Sequence, residues 1–167
     1  MKNVAASVLA RLKNISKERQ IDYNEILLRY AIERVLKRVE LSPHVRNCIL
    51  KGGTLFLVWN NGYSCRPTMD ADLEYRGDGA PEELLKVFMD IAMVEPPEDD
   101  GLVIDSASLS ARQIREDDQY GGVRVTFKAS IGNAVIPVQF DIGVGDMTLK
   151  DVVVKVRSFL MPLIGEE

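Results

Sequence analysis

The sequence predicts an α/β (α+β) fold, a mixed β-sheet flanked by helices with two helices leading. Three observations predict it. Apolar residues recur at helical spacing between Val4 and Val39. Stretches around Met69–Tyr75, Val123–Ile131 and Val135–Ile142 alternate apolar with polar, the period of a half-buried strand. A further helical stripe lies between the first alternating stretch and the others. The resulting order is helix–helix–strand–helix–strand–helix–strand–strand–strand, which calls for a sheet of mixed direction.

The elements follow in order. Val4, Val8, Leu9, Leu12 and Ile15 give a first helix ending near Arg19. Asp22 is placed to cap a second helix, with Glu25 three residues on as in a capping box. Ile26, Leu27, Tyr30, Ala31, Val35, Leu36 and Val39 form its stripe, Arg29, Arg34, Lys37 and Arg38 decorate it, and Ser42-Pro43 stops it. Val45–Leu50 is a short apolar run ending in Lys51-Gly52-Gly53-Thr54. Leu55, Phe56, Val58 and Trp59 suit a buried helix that Asn60-Asn61-Gly62 closes. Met69–Tyr75 reads as a strand. Pro81-Glu82-Glu83 opens a helix whose stripe is Leu84, Leu85, Phe88, Ile91 and Ala92. After an acidic turn from Pro96 to Asp100, Leu102–Ile104 and Ser106–Ile114 read as strand, and 117–122 as a turn. Gly132-Asn133 is a hairpin turn between the last two strands.

Composition narrows the chemistry. With 167 residues, 46% hydrophobic and 28% charged, the chain is a globular domain that needs no disulfides to hold a core. It lacks a membrane-length apolar run and a signal-like N-terminus, so the expectation is a cytoplasmic protein that does not engage a membrane. His44 is the single histidine, and Cys48 and Cys65 are the two cysteines. That is too few ligands for a structural zinc site, and a nucleophile–histidine mechanism would rest on His44 alone. Carboxylates, hydroxyls, backbone amides, Lys and Arg remain. The net charge of −4 is unevenly spread: residues 1–51 carry 11 − 5 = +6 and residues 52–167 carry 10 − 20 = −10. A basic front could meet a polyanion, and an acidic remainder could hold divalent cations. The plainer reading of both is solvated helix and loop faces, and for the basic front alone it explains the charge equally well.

Three pieces could carry chemistry. Gly52-Gly53-Thr54 sits where a strand meets a helix, where paired glycines allow close backbone approach and exposed amides favour phosphate. A packing turn is the plainer reading. Asp70 and Asp72, two apart on a strand, share a face, where a hard divalent cation would relieve their repulsion; two solvated acids on an edge strand are the alternative. Asp141 closes an otherwise apolar strand and needs a partner. It becomes a third metal-binding carboxylate if its strand lies near that of Asp70, or an ion-pair partner of Arg124 on the preceding strand. Three converging carboxylates could hold two metal ions.

A glycine turn opening a helix, then D-x-D on the next strand, then one Asp on a later strand is the layout of the nucleotidyltransferase superfold. Lys51-Gly52-Gly53-Thr54-Leu55-Phe56 and Arg66-Pro67-Thr68-Met69-Asp70-Ala71-Asp72-Leu73 resemble the AbiEii/AbiGii nucleotidyltransferase toxins of type IV toxin–antitoxin and abortive-infection systems. The likeness continues in Asp100-Gly101, in Ile114-Arg115-Glu116 with Tyr120, Gly122 and Arg124, and in Gln139–Gly143 with Gly145-Asp146. The resemblance implies an Mg²⁺-dependent enzyme that moves a nucleotide from a nucleoside triphosphate to a hydroxyl of RNA, notably tRNA, or of a protein, with an antitoxin as partner. It implies that Gly52, Gly53 and Thr54 cradle the triphosphate, Lys51 and Arg66 neutralise it, and Asp70, Asp72 and Asp141 are the catalytic and Mg²⁺-binding carboxylates, with two ions accommodated. It divides the chain into an N-terminal helical segment (1–44), a nucleotidyltransferase-like core (45–150) and the start of a C-terminal helical region (151–167). Two alternatives stand beside it: a catalytically incomplete module that binds an antitoxin or other protein, and a phosphotransferase on the same fold.

Overall fold

A computed structural model of the chain describes residues 3–52, 70–114 and 122–144. The expected helix at 55–59, Gly53, Thr54 and Arg66, the turn at 117–121 and residues 145–167 lie outside them.

Helix α1 (Val4–Arg19) starts at Asn3, whose side chain accepts from the Ala6 amide, and ends at Gln20, in the left-handed region at φ 54°. Helix α2 (Tyr23–Leu41) is capped by Asp22, which accepts from the amides of Asn24 and Glu25, while the Glu25 carboxylate engages Arg29. Ser42 terminates it just before Pro43, the residue that bars a further helical turn. Strand β1 (Cys48–Lys51), strand β2 (Ala71–Tyr75), helix α3 (Pro81–Ala92) and strands β3 (Leu102–Ile114), β4 (Gly122–Ile131) and β5 (Ala134–Val144) follow. No helix among the described residues is long and apolar enough to cross a membrane.

The strands form one mixed sheet in the order β1-β2-β5-β4-β3. β2 and β5 pair in parallel, and every other pairing is antiparallel. The alternation read from the sequence decides which side is covered. Ala71, Leu73, Val123, Val125, Phe127, Phe140 and Ile142 are buried and line one face, where they meet the helices. Phe88 of α3 lies 5.4 Å from Phe140 and 6.4 Å from Phe127, ring centre to ring centre, within the range of favourable tilted pairs. Truncating such a residue to alanine costs about 3–5 kcal/mol, so Phe88→Ala would loosen the contact between α3 and the sheet.

Helix α2 departs from the expectation of a basic surface. Arg29 and Arg38 are buried. Arg29 pairs with Glu25, and Lys37, further along, with Glu40. Arg38 forks Asp100 at 2.7 and 3.1 Å and also donates to the carbonyl of Leu102. Asp100, which the sequence places in an acidic turn, is itself buried. Tyr30 donates to the Asp100 carbonyl at 2.6 Å, and burial pushes its phenol up to about 12, so it stays a neutral donor. The positive balance of the front segment is therefore partly internal: Arg29 and Arg38 are buried, and Arg38 ties α2 to the start of β3.

Glu33, on the same helix, is buried at 1% exposure, and among the described residues neither carboxylate oxygen has a hydrogen-bond partner. Desolvation holds its carboxyl well above the usual range, against the opposing charges of Arg34 and Arg29.

Candidate active site

The face of the sheet away from the described helices carries a line of charges. Lys51 on β1 is the register partner of Asp72 on β2, and Asp72 is the partner of Asp141 on β5. Asp141 in turn pairs with Arg124 on β4, and Arg124 with Arg112 on β3. Register partners on neighbouring strands point to the same side, about 4.8 Å apart. The residues one step along, Leu73, Ile142 and Val123, are buried on the opposite, helix-covered side. The strand period of two thus turns five charged side chains from five strands onto one face.

Asp72 and Asp141, the acids expected to converge, are direct neighbours on the parallel pair at the middle of this line. Asp70 lies one step before β2, close enough for its charge to act on Arg124. Among the described residues, no three His, Cys, Asp or Glu side chains are grouped as a cluster that could hold a metal ion. Asp141 is held instead by Arg124, which donates from Nε to Oδ1 at 2.8 Å and from Nη2 to Oδ2 at 2.7 Å. The ion pair that the sequence offered as an alternative for Asp141 is therefore formed, and on the same face as Asp72. The fork raises the Arg124 pKa above its ordinary value, and the charges of Asp141 and Asp70 add to it. Gln139 lies one row away, and its amide oxygen, turned towards Arg124, accepts from Nη2 at 3.3 Å and Nε at 3.2 Å.

Gly52 follows β1 with φ +63°, a conformation that only glycine adopts without strain. A Cβ there would lie 2.7 Å from Cγ of Asp72 and 2.9 Å from its Cβ. The glycine therefore does two things: it turns the chain, and it lets the Asp72 carboxylate pack against the backbone. Lys51, expected to neutralise phosphate, pairs with Glu74 at 3.0 Å while remaining 42% exposed. Gly53, Thr54 and Arg66, the rest of the expected triphosphate cradle, lie outside the described residues.

Two charged residues on this face were not singled out by the sequence. Glu74 continues the alternation of Asp70 and Asp72, so its position on the same face was available from spacing alone. Arg112 had no such signal, because the register of β3 shifts: Asp105 faces Lys128 but Ser110 faces Thr126, so five steps on one strand answer two on the other. Cys48 is a free cysteine whose thiol burial pushes up to about 12, which removes it as a nucleophile at neutral pH. A cavity of about 830 Å³ lies between the start of α2 and the β4–β5 hairpin, reaching Gln139 but not Asp72 or Asp141.

A mixed sheet with register-paired aspartates on adjacent parallel strands, beside a left-handed glycine at the end of a neighbouring strand, places the chain in the α+β class. Within that class the family is defined. Residues 34–163 match the family of the nucleotidyl transferase AbiEii toxin, type IV toxin–antitoxin system, and the chain belongs to it. Among curated proteins, none matches the chain.

Proposed function

We propose that this protein is the toxin of a type IV toxin–antitoxin pair and transfers a nucleotide from a nucleoside triphosphate to a hydroxyl of RNA, tRNA in particular, or of a protein. The observation that carries the reading is the register match of Asp72 with Asp141 on adjacent parallel strands, next to Gly52. Carboxylates are hard oxygen donors and suit Mg²⁺, so Asp70, Asp72 and Asp141 are the residues that would hold it. Bound there, Mg²⁺ supplies positive charge to the triphosphate and to the leaving pyrophosphate.

The chain's own groups divide the rest of the work. Backbone amides at Gly52, Gly53 and Thr54 receive the phosphates, and Lys51 and Arg66 balance their charge. The acceptor oxygen forms a bond to the α-phosphorus as the α–β bridging bond breaks and pyrophosphate leaves. Asp141 takes the proton from the acceptor hydroxyl. Growth arrest on expression, relieved by the neighbouring antitoxin gene, is the expected cellular result.

Thermal melting tests this reading. Nucleoside triphosphate with Mg²⁺ raises the melting temperature of the wild type, and Asp70→Ala abolishes the rise. Unchanged melting at saturating nucleotide refutes it. A triphosphate labelled at the α-position and retained on the acceptor identifies nucleotidyl transfer, whereas retention of a γ-label identifies a phosphotransferase. A second reading, a module that binds an antitoxin without catalysis, draws on the two ion pairs that engage Asp141 and Lys51. Stable complex formation without any metal binding selects it.

A further inference from the structure

The guanidinium of Arg124 meets both oxygens of the carboxylate that the proposed chemistry needs most. The contact is a fork, with Nε on Oδ1 and Nη2 on Oδ2, between side chains that are 27% and 22% exposed. The charge of Arg124 also reaches Asp70. One cation of the protein thus lies among carboxylates on the face where Asp72 and Asp141 are neighbours. Without the fork, Asp141 would lie beside Asp72 with its own counter-ion gone.

Resting on the nucleotidyltransferase reading, we propose that Arg124 is a positioning residue that acts as the built-in counter-ion of Asp141 and competes with a divalent cation for it. The guanidinium offers Asp141 positive charge of the kind a divalent cation would bring. A cation that engages Asp141 does so against the fork. Gln139, already in line with Nε and Nη2, is the acceptor that receives the displaced guanidinium. Arg124 therefore sets how tightly the protein binds a divalent cation before nucleotide arrives, and keeps that affinity low.

The test titrates Mn²⁺ alone into the full chain by calorimetry, without nucleotide, for the wild type, Arg124→Gln, Arg124→Lys, Asp141→Asn and Arg124→Gln/Asp141→Asn. Loss of a partly exposed, bidentate competitor tightens Mn²⁺ binding in Arg124→Gln by about fivefold. Arg124→Lys keeps the charge but not the fork, and binds about twofold tighter than the wild type. Asp141→Asn binds more weakly, and in its background Arg124→Gln brings no gain. A residue that served only the fold would leave affinity unchanged or weaken it, because losing the strand pairing would loosen the acids. Equal or weaker binding by Arg124→Gln therefore overturns the competition while wild-type Mn²⁺ binding leaves the parent reading intact. If Arg124→Gln does not fold in metal-free melting, Arg124→Lys decides, and equal affinity there overturns the proposal. Absence of Mn²⁺ binding by the wild type, with or without nucleotide, refutes the cation site and the competition together.

Discussion

Arg38→Met removes a guanidinium that makes four hydrogen bonds: to the Arg34 carbonyl at 3.0 Å, to the two oxygens of Asp100 at 2.7 and 3.1 Å, and to the Leu102 carbonyl at 3.1 Å. Both side chains of the pair are under 10% exposed, at 5% and 7%. Methionine fills much of the volume but leaves the Asp100 carboxylate buried, with the Leu102 amide at 3.0 Å as its remaining described donor. Breaking a buried pair on one side costs about 3–5 kcal/mol, because the surviving charge loses its partner and does not regain water. That is a large share of the roughly 5–15 kcal/mol that holds a domain folded. For a chain of this length it lowers the melting temperature by roughly 6–20 °C. In urea, with a slope of about 2 kcal/mol/M, the midpoint falls by roughly 2 M. Asp100→Asn added to Arg38→Met removes the stranded charge while keeping an acceptor for Leu102. The double variant is therefore less destabilised than the two single losses added together, by roughly 1–3 kcal/mol. A cost below about 1 kcal/mol for Arg38→Met, or strict additivity in the double variant, would refute the idea that this pair clamps α2 to the start of β3.

Three further outcomes are expected. Burial makes Glu33 keep its proton to higher pH in the native state than in the unfolded chain, whose ordinary value is 4.5, so stability falls as pH rises from there through the raised native value. Glu33→Met removes the buried unpaired oxygens, stabilises the protein by about 1–3 kcal/mol at pH 7, and flattens urea midpoints measured from pH 4 upward; a loss of stability at pH 7 would contradict the assignment. Gly52→Ala places a side chain at positive φ and against Asp72, so melting falls by a few degrees for the roughly 1 kcal/mol of backbone strain, and the shift induced by nucleotide and Mg²⁺ disappears. In a Cys65→Ser background, Cys48 resists iodoacetamide at pH 8, where on the order of one thiol in 10⁴ is ionised, and reacts at the normal rate in urea; equal rates in both conditions would rule out the buried thiol.

Local pattern carried far in this chain, and its reach ended where distant segments meet. The caps of α1 and α2, the proline that opens α3 and the stripes facing the core are all set by residues within one or two turns of each other. The Arg124–Asp141 pairing is local in the same sense. The Gly132-Asn133 turn fixes Ile131 opposite Ala134, and seven steps back along each strand lead to Arg124 and Asp141. Asp72 opposite Asp141 has no such origin, because parallel strands share no turn and their register depends on how Ala71 and Phe140 pack. Asp100 misled for a related reason: its burial comes from Arg38, 62 residues earlier, and nothing in the acidic run around it announces that partner. The row containing Arg112 depends on the irregular register of β3, a feature of sheet geometry rather than of residue type.

The same non-local pairing bears on when the protein can act. Asp72 and Asp141 are separated by 141 − 72 = 69 positions in the chain. A ribosome working at roughly 5–20 residues per second needs roughly 3–14 seconds to travel between them. Through that interval the nascent chain holds Asp72 without Asp141, and β5 must then pair between β2 and β4 before the two acids become neighbours. Under the proposed function, synthesis cut short anywhere in that stretch yields a polypeptide without the paired acids that the chemistry needs.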